Sequence, residues 1–185
     1  MNASANDSHV LIAGGGIGGL TTALCLAKRG CRVSVFEQAS EFSEVGAGIQ
    51  LSPNCSRVLH DLGLEEQLRT KAFLPEGSQF RHWRTGEVIS ESVLGETALK
   101  KYGMPYYHIH RGDLLKILVD ATKNRSEIEL HVNASVESFH EERAAKSGGV
   151  TIQVGDTRYE GDLLIGADGI RSVVRAGLWG EQNPR

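Results

Sequence analysis

Val10-Leu11-Ile12-Ala13 is a short unbroken apolar run, the pattern of a strand buried on both faces. Glycines follow at once, and then apolar residues at 20, 23, 24 and 27 recur with helical spacing until Gly30 supplies a C-terminal stop. Residues 33–37 read as a second strand. The three elements make a β-α-β unit of minimal length, and its crossover requires parallel strands.

Ser52-Pro53 predicts another helix start, with a hydroxyl at the cap and proline at the first helical position. Val58, Leu59 and Leu62 supply its apolar face, Gly63 its stop, and residues 64–71 a further helical turn or two. Residues 79–90 are different: Phe80, Trp83, Val88 and Ile89 surround a Thr85-Gly86 turn, which predicts a hairpin away from the parallel sheet. Helical period returns over 111–121 through Leu114, Leu115, Leu118 and Ala121. In the last third, Ile128, Leu130 and Val132 alternate with polar residues, as do Val150, Ile152 and Val154. The polar stretch 140–149 between them predicts a hairpin loop. Residues 162–166 predict a buried strand and residues 170–178 a short helix.

Composition sets limits on function. With 40% hydrophobic and 23% charged residues the chain reads as an ordinary soluble globular protein. Its 20 basic and 23 acidic residues leave a net charge of -3, which gives no general attraction for nucleic acid or an anionic membrane. The polar start lacks the basic-then-apolar order of a signal peptide, and no apolar run approaches the ~18 residues of a membrane helix. Cys25, Cys31 and Cys55 are odd in number and have no metal-site spacing; Cys25 reads as a core residue. The expectation is a cytoplasmic protein with neither nucleic acid nor membrane as partner, and no metal. Glycine is the outlier, at 22 of 185 residues against a usual ~7%.

The glycines carry the candidate chemistry. Gly14, Gly16 and Gly19 match G-x-G-x-x-G at a strand-to-helix turn. There Gly14 permits the tight turn, Gly16 lets a pyrophosphate approach the backbone, and Gly19 allows the helix to pack on the sheet. The helix N-terminus then offers N–H groups and partial positive charge to phosphate. Glu37 ends the next strand, where a carboxylate accepts hydrogen bonds from both hydroxyls of an adenosine ribose and repels a 2′-phosphate. These residues predict a dinucleotide site and leave NAD and FAD open. A second glycine-rich stretch, residues 45–54, contains Gly46-Ala47-Gly48; it reads either as a backbone that a flat ring approaches closely or as a tight surface turn.

Four ordered motifs together resemble the FAD-dependent aromatic-ring hydroxylases, the flavoprotein monooxygenase family that includes salicylate hydroxylase-like enzymes. They are the 14–19 glycines with Glu37, the Gly46-Ala47-Gly48-Ile49 and Ser52-Pro53-Asn54 segment, His110-Arg111-Gly112-Asp113-Leu114, and Gly166-Ala167-Asp168-Gly169-Ile170-Arg171-Ser172. The resemblance implies an α/β fold: a Rossmann-like FAD-binding domain with a parallel sheet, a β-meander and a partial substrate-domain hairpin, C-terminally truncated relative to the family. It divides the chain into 1–75 (FAD-binding unit and flavin-side segment), 76–107 (partial substrate domain) and 108–185 (return to the FAD-binding domain). By resemblance Glu37 holds the ribose, Ala47 and Gly48 lie beside the flavin, Arg111 reaches the FAD phosphates or ribityl chain, and Asp168-Gly169 serve both FAD and the nicotinamide cofactor. From the residues alone, Arg111 reads either as a cation held by an anion or as an exposed basic residue. Asp168 reads either as a crevice residue or as a helix cap.

The activity so implied is hydroxylation of an electron-rich aromatic small molecule, with FAD as cofactor and NAD(P)H as transient reductant. No catalytic side chain is singled out. The family's later Gly-Asp motif has no counterpart here, so the expectation is an N-terminal portion that is not fully active alone. The alternatives are a non-catalytic FAD-binding remnant or one half of a split enzyme with a complementary C-terminal half. His108 and His110 fall on one face of a strand, and the spacing suggests no third metal ligand.

Overall fold

The structure is a computed structural model that describes residues 8–42, 47–141 and 149–180. Its first elements are β1 (His9–Ala13), α1 (Ile17–Ala27), β2 (Arg32–Phe36), β3 (Gly48–Leu51), α2 (Pro53–Asp61) and α3 (Glu65–Lys71). Then come β4 (Gly77–Arg81), β5 (Val88–Val93), α4 (Gly95–Tyr102), β6 (Tyr107–His110) and α5 (Arg111–Lys123). The chain continues through β7 (Ile128–His131), β8 (Ser138–Glu141), β9 (Val150–Val154), β10 (Thr157–Gly161), β11 (Leu163–Gly166) and α6 (Val173–Trp179). They fall into two units, residues 1–43 with 118–185, and residues 44–117. These boundaries differ from the three segments expected from sequence, because β3 pairs with β6 and so joins the middle of the chain.

The first unit is built on a parallel sheet of order β11-β1-β2-β7. Its central strands are mainly apolar because both faces are covered; His9, Arg32 and Ser34 are their polar residues. Val10, Ile12, Val33 and Val35 pack with Ala23 and Leu26 of α1, while Leu11, Ala13 and Phe36 pack with Val150, Ile152 and Val174. The second of these layers is a meander of order β10-β9-β8, antiparallel throughout. Phe36 stacks on His131 at 4.7 Å between centroids, and Tyr159 of β10 meets both rings edge-on.

Several expectations are revised here. The polar stretch after 140 does not join residues 128–132 to 150–154; β7 lies in the parallel sheet, and the strand that precedes β9 and pairs with it is the unforeseen β8. Residues 142–148, within the expected loop, lie outside the described residues. The strand at 162–166 is an edge strand rather than a buried one, and Leu163 is 52% exposed. Cys25 is half-buried, on the flank of α1 rather than in the core. None of the three cysteines, all among the described residues, forms a disulfide.

In the second unit β3 and β6 form an antiparallel ribbon with Leu51 opposite Tyr107, Gln50 opposite His108, Ile49 opposite Ile109 and Gly48 opposite His110. Alternation gives the ribbon two unlike faces. Leu51, Tyr107 and Ile109 are buried, whereas Gly48, Gln50 and His110 are exposed. Proline opens α2 at its first position as expected, yet the Ser52 hydroxyl does not cap it. That hydroxyl donates to Asn54 Oδ1 at 2.6 Å, a local side-chain bond that competes with the helix amides. The hairpin of β4 and β5 forms around Thr85-Gly86 as expected, and every residue of both strands is exposed.

Candidate functional site: a cofactor cradle

The parallel sheet reverses its winding at β1, which has β2 on one side and β11 on the other. Crevices at the carboxyl ends of such strands are where open α/β sheets bind ligands. Two loops meet there, residues 14–19 after β1 and residues 167–172 after β11. The Ala167 amide donates to Ala13 O at 2.7 Å, and the Gly14 amide donates to Phe36 O at 2.8 Å, so both loops are anchored to the sheet.

The three fingerprint glycines have different surroundings. Gly14 has φ +102°, and a Cβ there would lie 2.3 Å from Ala167 O, so conformation and space both require glycine. A Cβ on Gly19 would lie 1.9 Å from Gly14 O: the first turn of α1 sits directly on the loop. Gly16 is extended, at φ -72° and ψ -176°, and among the described residues nothing lies within 4 Å of where its Cβ would be. Gly16 is also the N-cap of α1 and gives the first amides of the helix no side-chain cap bond.

Glu37 reaches into this loop. Its Oε2 accepts from the Gly15 amide at 2.8 Å and its Oε1 from the Ala39 amide at 2.9 Å. Each oxygen keeps a further lone pair for another donor. The Glu37 backbone is fixed as well, donating to His131 O and accepting from the Ala134 amide. Asp168 is committed to its own turn: Oδ1 accepts from the Ser172 hydroxyl at 2.5 Å and Oδ2 from the Val174 amide at 3.1 Å. Ser172 Oγ in turn accepts from the Arg175 amide at 2.9 Å and caps α6. Asp168 therefore acts as a capping residue in this structure, and Gly169 beside it is exposed with φ +76°. Ala167 and Ser172 do work that the motif's spacing left unassigned: one closes the glycine loop and the other locks the turn.

The remaining expected site residues belong to the second unit. Ala47 and Gly48 are exposed at the start of β3, and among the described residues a Cβ on Gly48 would find only Ile109 O, at 3.8 Å. The Arg111 amide donates to Ala47 O at 3.3 Å, which sets the first residue of α5 beside the small residues of β3. Gly46 lies outside the described residues. Elsewhere in the first unit a pocket of about 280 Å³ opens at the opposite, amino-terminal end of the sheet, between His9, Arg32, Glu160 and Asp162. Two of its groups are used by the fold: the His9 amide donates to Asp162, and the His9 ring is bonded to Ser34 Oγ at 2.9 Å.

A glycine loop closed at two positions and open at the third, at the bare start of a helix and beside a carboxylate, fits a dinucleotide. The family model described as FAD binding domain matches residues 7–182. The chain belongs to that family. It is 38% identical over 182 residues to 3-amino-4-hydroxybenzoate 2-monooxygenase PtnB3 of Streptomyces platensis, covering 97% of this chain and 44% of that protein. It is 34% identical over 178 residues to 6-hydroxynicotinate 3-monooxygenase of Pseudomonas fluorescens, covering 96% and 44%. The solved structure of 2-methyl-3-hydroxypyridine-5-carboxylic acid oxygenase in its tetrameric form superposes with a TM-score of 0.76 at 29% identity, covering 94% of this chain and 42% of that one. The chain thus spans less than half the length of the relatives it matches. The fold is the mixed α/β arrangement of FAD-dependent monooxygenases. Among the described residues no helix is long and apolar enough to cross a membrane.

Proposed function

We infer that this chain is the FAD-binding part of an FAD- and NAD(P)H-dependent monooxygenase acting on an aromatic acid that carries a ring hydroxyl. The observation that supports it most is the unequal packing of the fingerprint glycines. Gly14 and Gly19 are pressed against backbone, while Gly16 faces open space at an uncapped helix start. In this reading Gly16 and the first amides of α1 receive the pyrophosphate, and the spare lone pairs of Glu37 receive the ribose hydroxyls. Ala47 and Gly48 leave room for the flat ring system, and Arg111 supplies positive charge to the phosphates or the ribityl chain. Asp168 works through the turn it caps, presenting the backbone at Gly169 to the cofactor.

When bound, FAD would supply the redox chemistry, with NAD(P)H as reductant and molecular oxygen as the source of the ring hydroxyl and of one water. The substrate class follows from the relatives named above, each named for a ring with a hydroxyl and a carboxylate. Residues 76–107 lie on the substrate side. Turnover also needs the parts matching the relatives' remaining length, in the same polypeptide or in a complementary one. The site is that of a cytoplasmic enzyme.

Titrating the purified chain with FAD and following quenching of flavin fluorescence tests the reading. Saturable binding is expected, weak for the chain by itself because only part of a relative's length is present. A folded chain with no saturable FAD binding sinks it.

A further inference from the structure

The pocket at the amino-terminal end of the parallel sheet has no part in the cofactor reading. His9 of β1 stands opposite Arg32 of β2 in the register, so both side chains leave the sheet on one face. By alternation it is the face of Leu11 and Phe36, which the meander covers. On the other side of His9 lies Asp162. The His9 amide donates to Asp162 Oδ2 at 2.7 Å, and the Asp162 amide returns a bond to His9 O at 2.8 Å. The end of the meander closes the pocket. A Cβ on Gly161 would lie 2.8 Å from Leu11 Cγ and 3.0 Å from His9 O, so glycine is what lets β10 come down on the sheet here.

The polar groups of the pocket are of two kinds. The His9 imidazole is a fixed floor, bonded to Ser34 Oγ at 2.9 Å and to the Glu160 backbone. Burial, and then the charge of Arg32, hold its pKa below the ordinary 6.5, so the floor is neutral at pH 7. Arg32 and Asp162 keep bonding capacity. Among the described residues no carboxylate stands within ion-pairing distance of the Arg32 guanidinium, and Asp162 Oδ1 has no hydrogen-bond partner. Their backbones flank β1 at two strand spacings, about 10 Å apart. Both line one pocket, and neither neutralises the other.

An anion alone would gain Arg32 and be opposed by Asp162; a cation alone would meet the reverse. A molecule that carries both charges a few bonds apart satisfies both groups. The volume of about 280 Å³ falls just below the ~300–1,000 Å³ of pockets for drug-sized ligands, so the occupant is small. We propose that this pocket binds a small α-amino acid, its carboxylate on the Arg32 guanidinium and its ammonium on Asp162 Oδ1. Guanidinium and carboxylate pair through two parallel N–H···O bonds, and the ammonium donates to the carboxylate oxygen that the fold leaves open. The site lies at the opposite end of β1 from the glycine loop, and the assignment does not depend on the cofactor reading.

The test titrates the full chain with L-alanine, with propionate, which lacks the ammonium, and with ethylamine, which lacks the carboxylate. The backbone amides of His9, Gly149 and Gly161 are followed by NMR. L-Alanine is expected to give saturable shifts with a Kd of about 1–10 mM, and each half-molecule to bind at least about 5-fold more weakly, the scale of one exposed ion pair. Arg32→Gln and Asp162→Asn should each weaken L-alanine about 5-fold, and Arg32→Gln should not weaken ethylamine. Asparagine keeps an oxygen for the His9 amide, Arg32 has no ion pair in the fold to lose, and unmoved Gly14 and Gly16 amides verify that each variant is folded. Three results overturn the proposal: no saturable response to L-alanine, equal affinity for L-alanine and either half-molecule, or full L-alanine affinity in the folded Arg32→Gln chain.

Discussion

Gly16 and Gly19 stand three residues apart in one loop, yet methylating them should have opposite consequences. At Gly19 a Cβ would sit 1.9 Å from Gly14 O, a backbone atom held by the Gly14 bond to Phe36. Either α1 lifts from the sheet or the loop opens, an overpacking cost of about 3 kcal/mol. For a chain of this size that is a fall in Tm of roughly 6–12 °C. At Gly16 the new methyl group meets nothing within 4 Å, and φ -72° suits any residue. Loss of backbone freedom in the unfolded chain and the poorer capping by alanine roughly offset, so stability should change by less than about 1 kcal/mol. The methyl would, however, stand where the phosphate approaches. Losing one charge-assisted bond of about 1.5–3 kcal/mol weakens FAD roughly 10- to 100-fold. Urea unfolding of Gly16→Ala and Gly19→Ala, paired with FAD titrations, reads both effects. The reasoning is refuted if Gly16→Ala unfolds as easily as Gly19→Ala, or if it binds FAD as tightly as the parent chain.

Glu37→Gln replaces one acceptor oxygen by an amide that faces the Gly15 or Ala39 N–H; a loss of about 1–2 kcal/mol is expected in urea unfolding, together with weaker FAD binding. Ser172→Ala removes the cap of α6 and the donor to Asp168 and should cost about 1 kcal/mol by the same assay, with Asp168→Asn destabilising through the same turn. Burial, and then the charge of Arg32, hold the His9 pKa below its ordinary 6.5. The unfolded chain therefore binds the proton more readily, and stability should fall as the pH drops from 6.5 through the folded value. His9→Gln should flatten that part of a stability-against-pH curve.

What could be read from the residues depended on how far apart the interacting groups lie. The β1–α1–β2 unit was legible because strands covered on both faces are continuous apolar runs and glycines punctuate them. The helix α4 was not, since it buries only Ala98 and opens on Leu94 and Gly95 with no capping side chain. Its Glu96–Lys100 pair and the stop at Gly103 were the available signals. The strand β10 was missed although Gly155-Asp156, with Gly155 at φ +55°, marks the turn that joins it to β9. Within the site, the motif spacing located Glu37 and Asp168 but not their partners. That Glu37 holds the Gly15 amide, and that both Asp168 oxygens serve α6, are facts of three-dimensional placement. The Gln50–His108 pairing is of the same kind, because register across a ribbon between residues 48 and 110 has no local sequence signature.

The dependence of Gly14 on Ala167 also bears on how the protein is made. The loop that would grip phosphate packs against Ala167, just after β11, and at the other end of that strand the His9–Asp162 bond spans 153 residues. At roughly 5–20 residues per second, a ribosome needs about 8–30 seconds to pass from one side of that bond to the other. During that interval β1 and α1 exist without β11, and the glycine loop has no wall to close against. Flavin capture is therefore an event that follows synthesis of residues 163–168, and a newly made β1 edge stays exposed until it pairs.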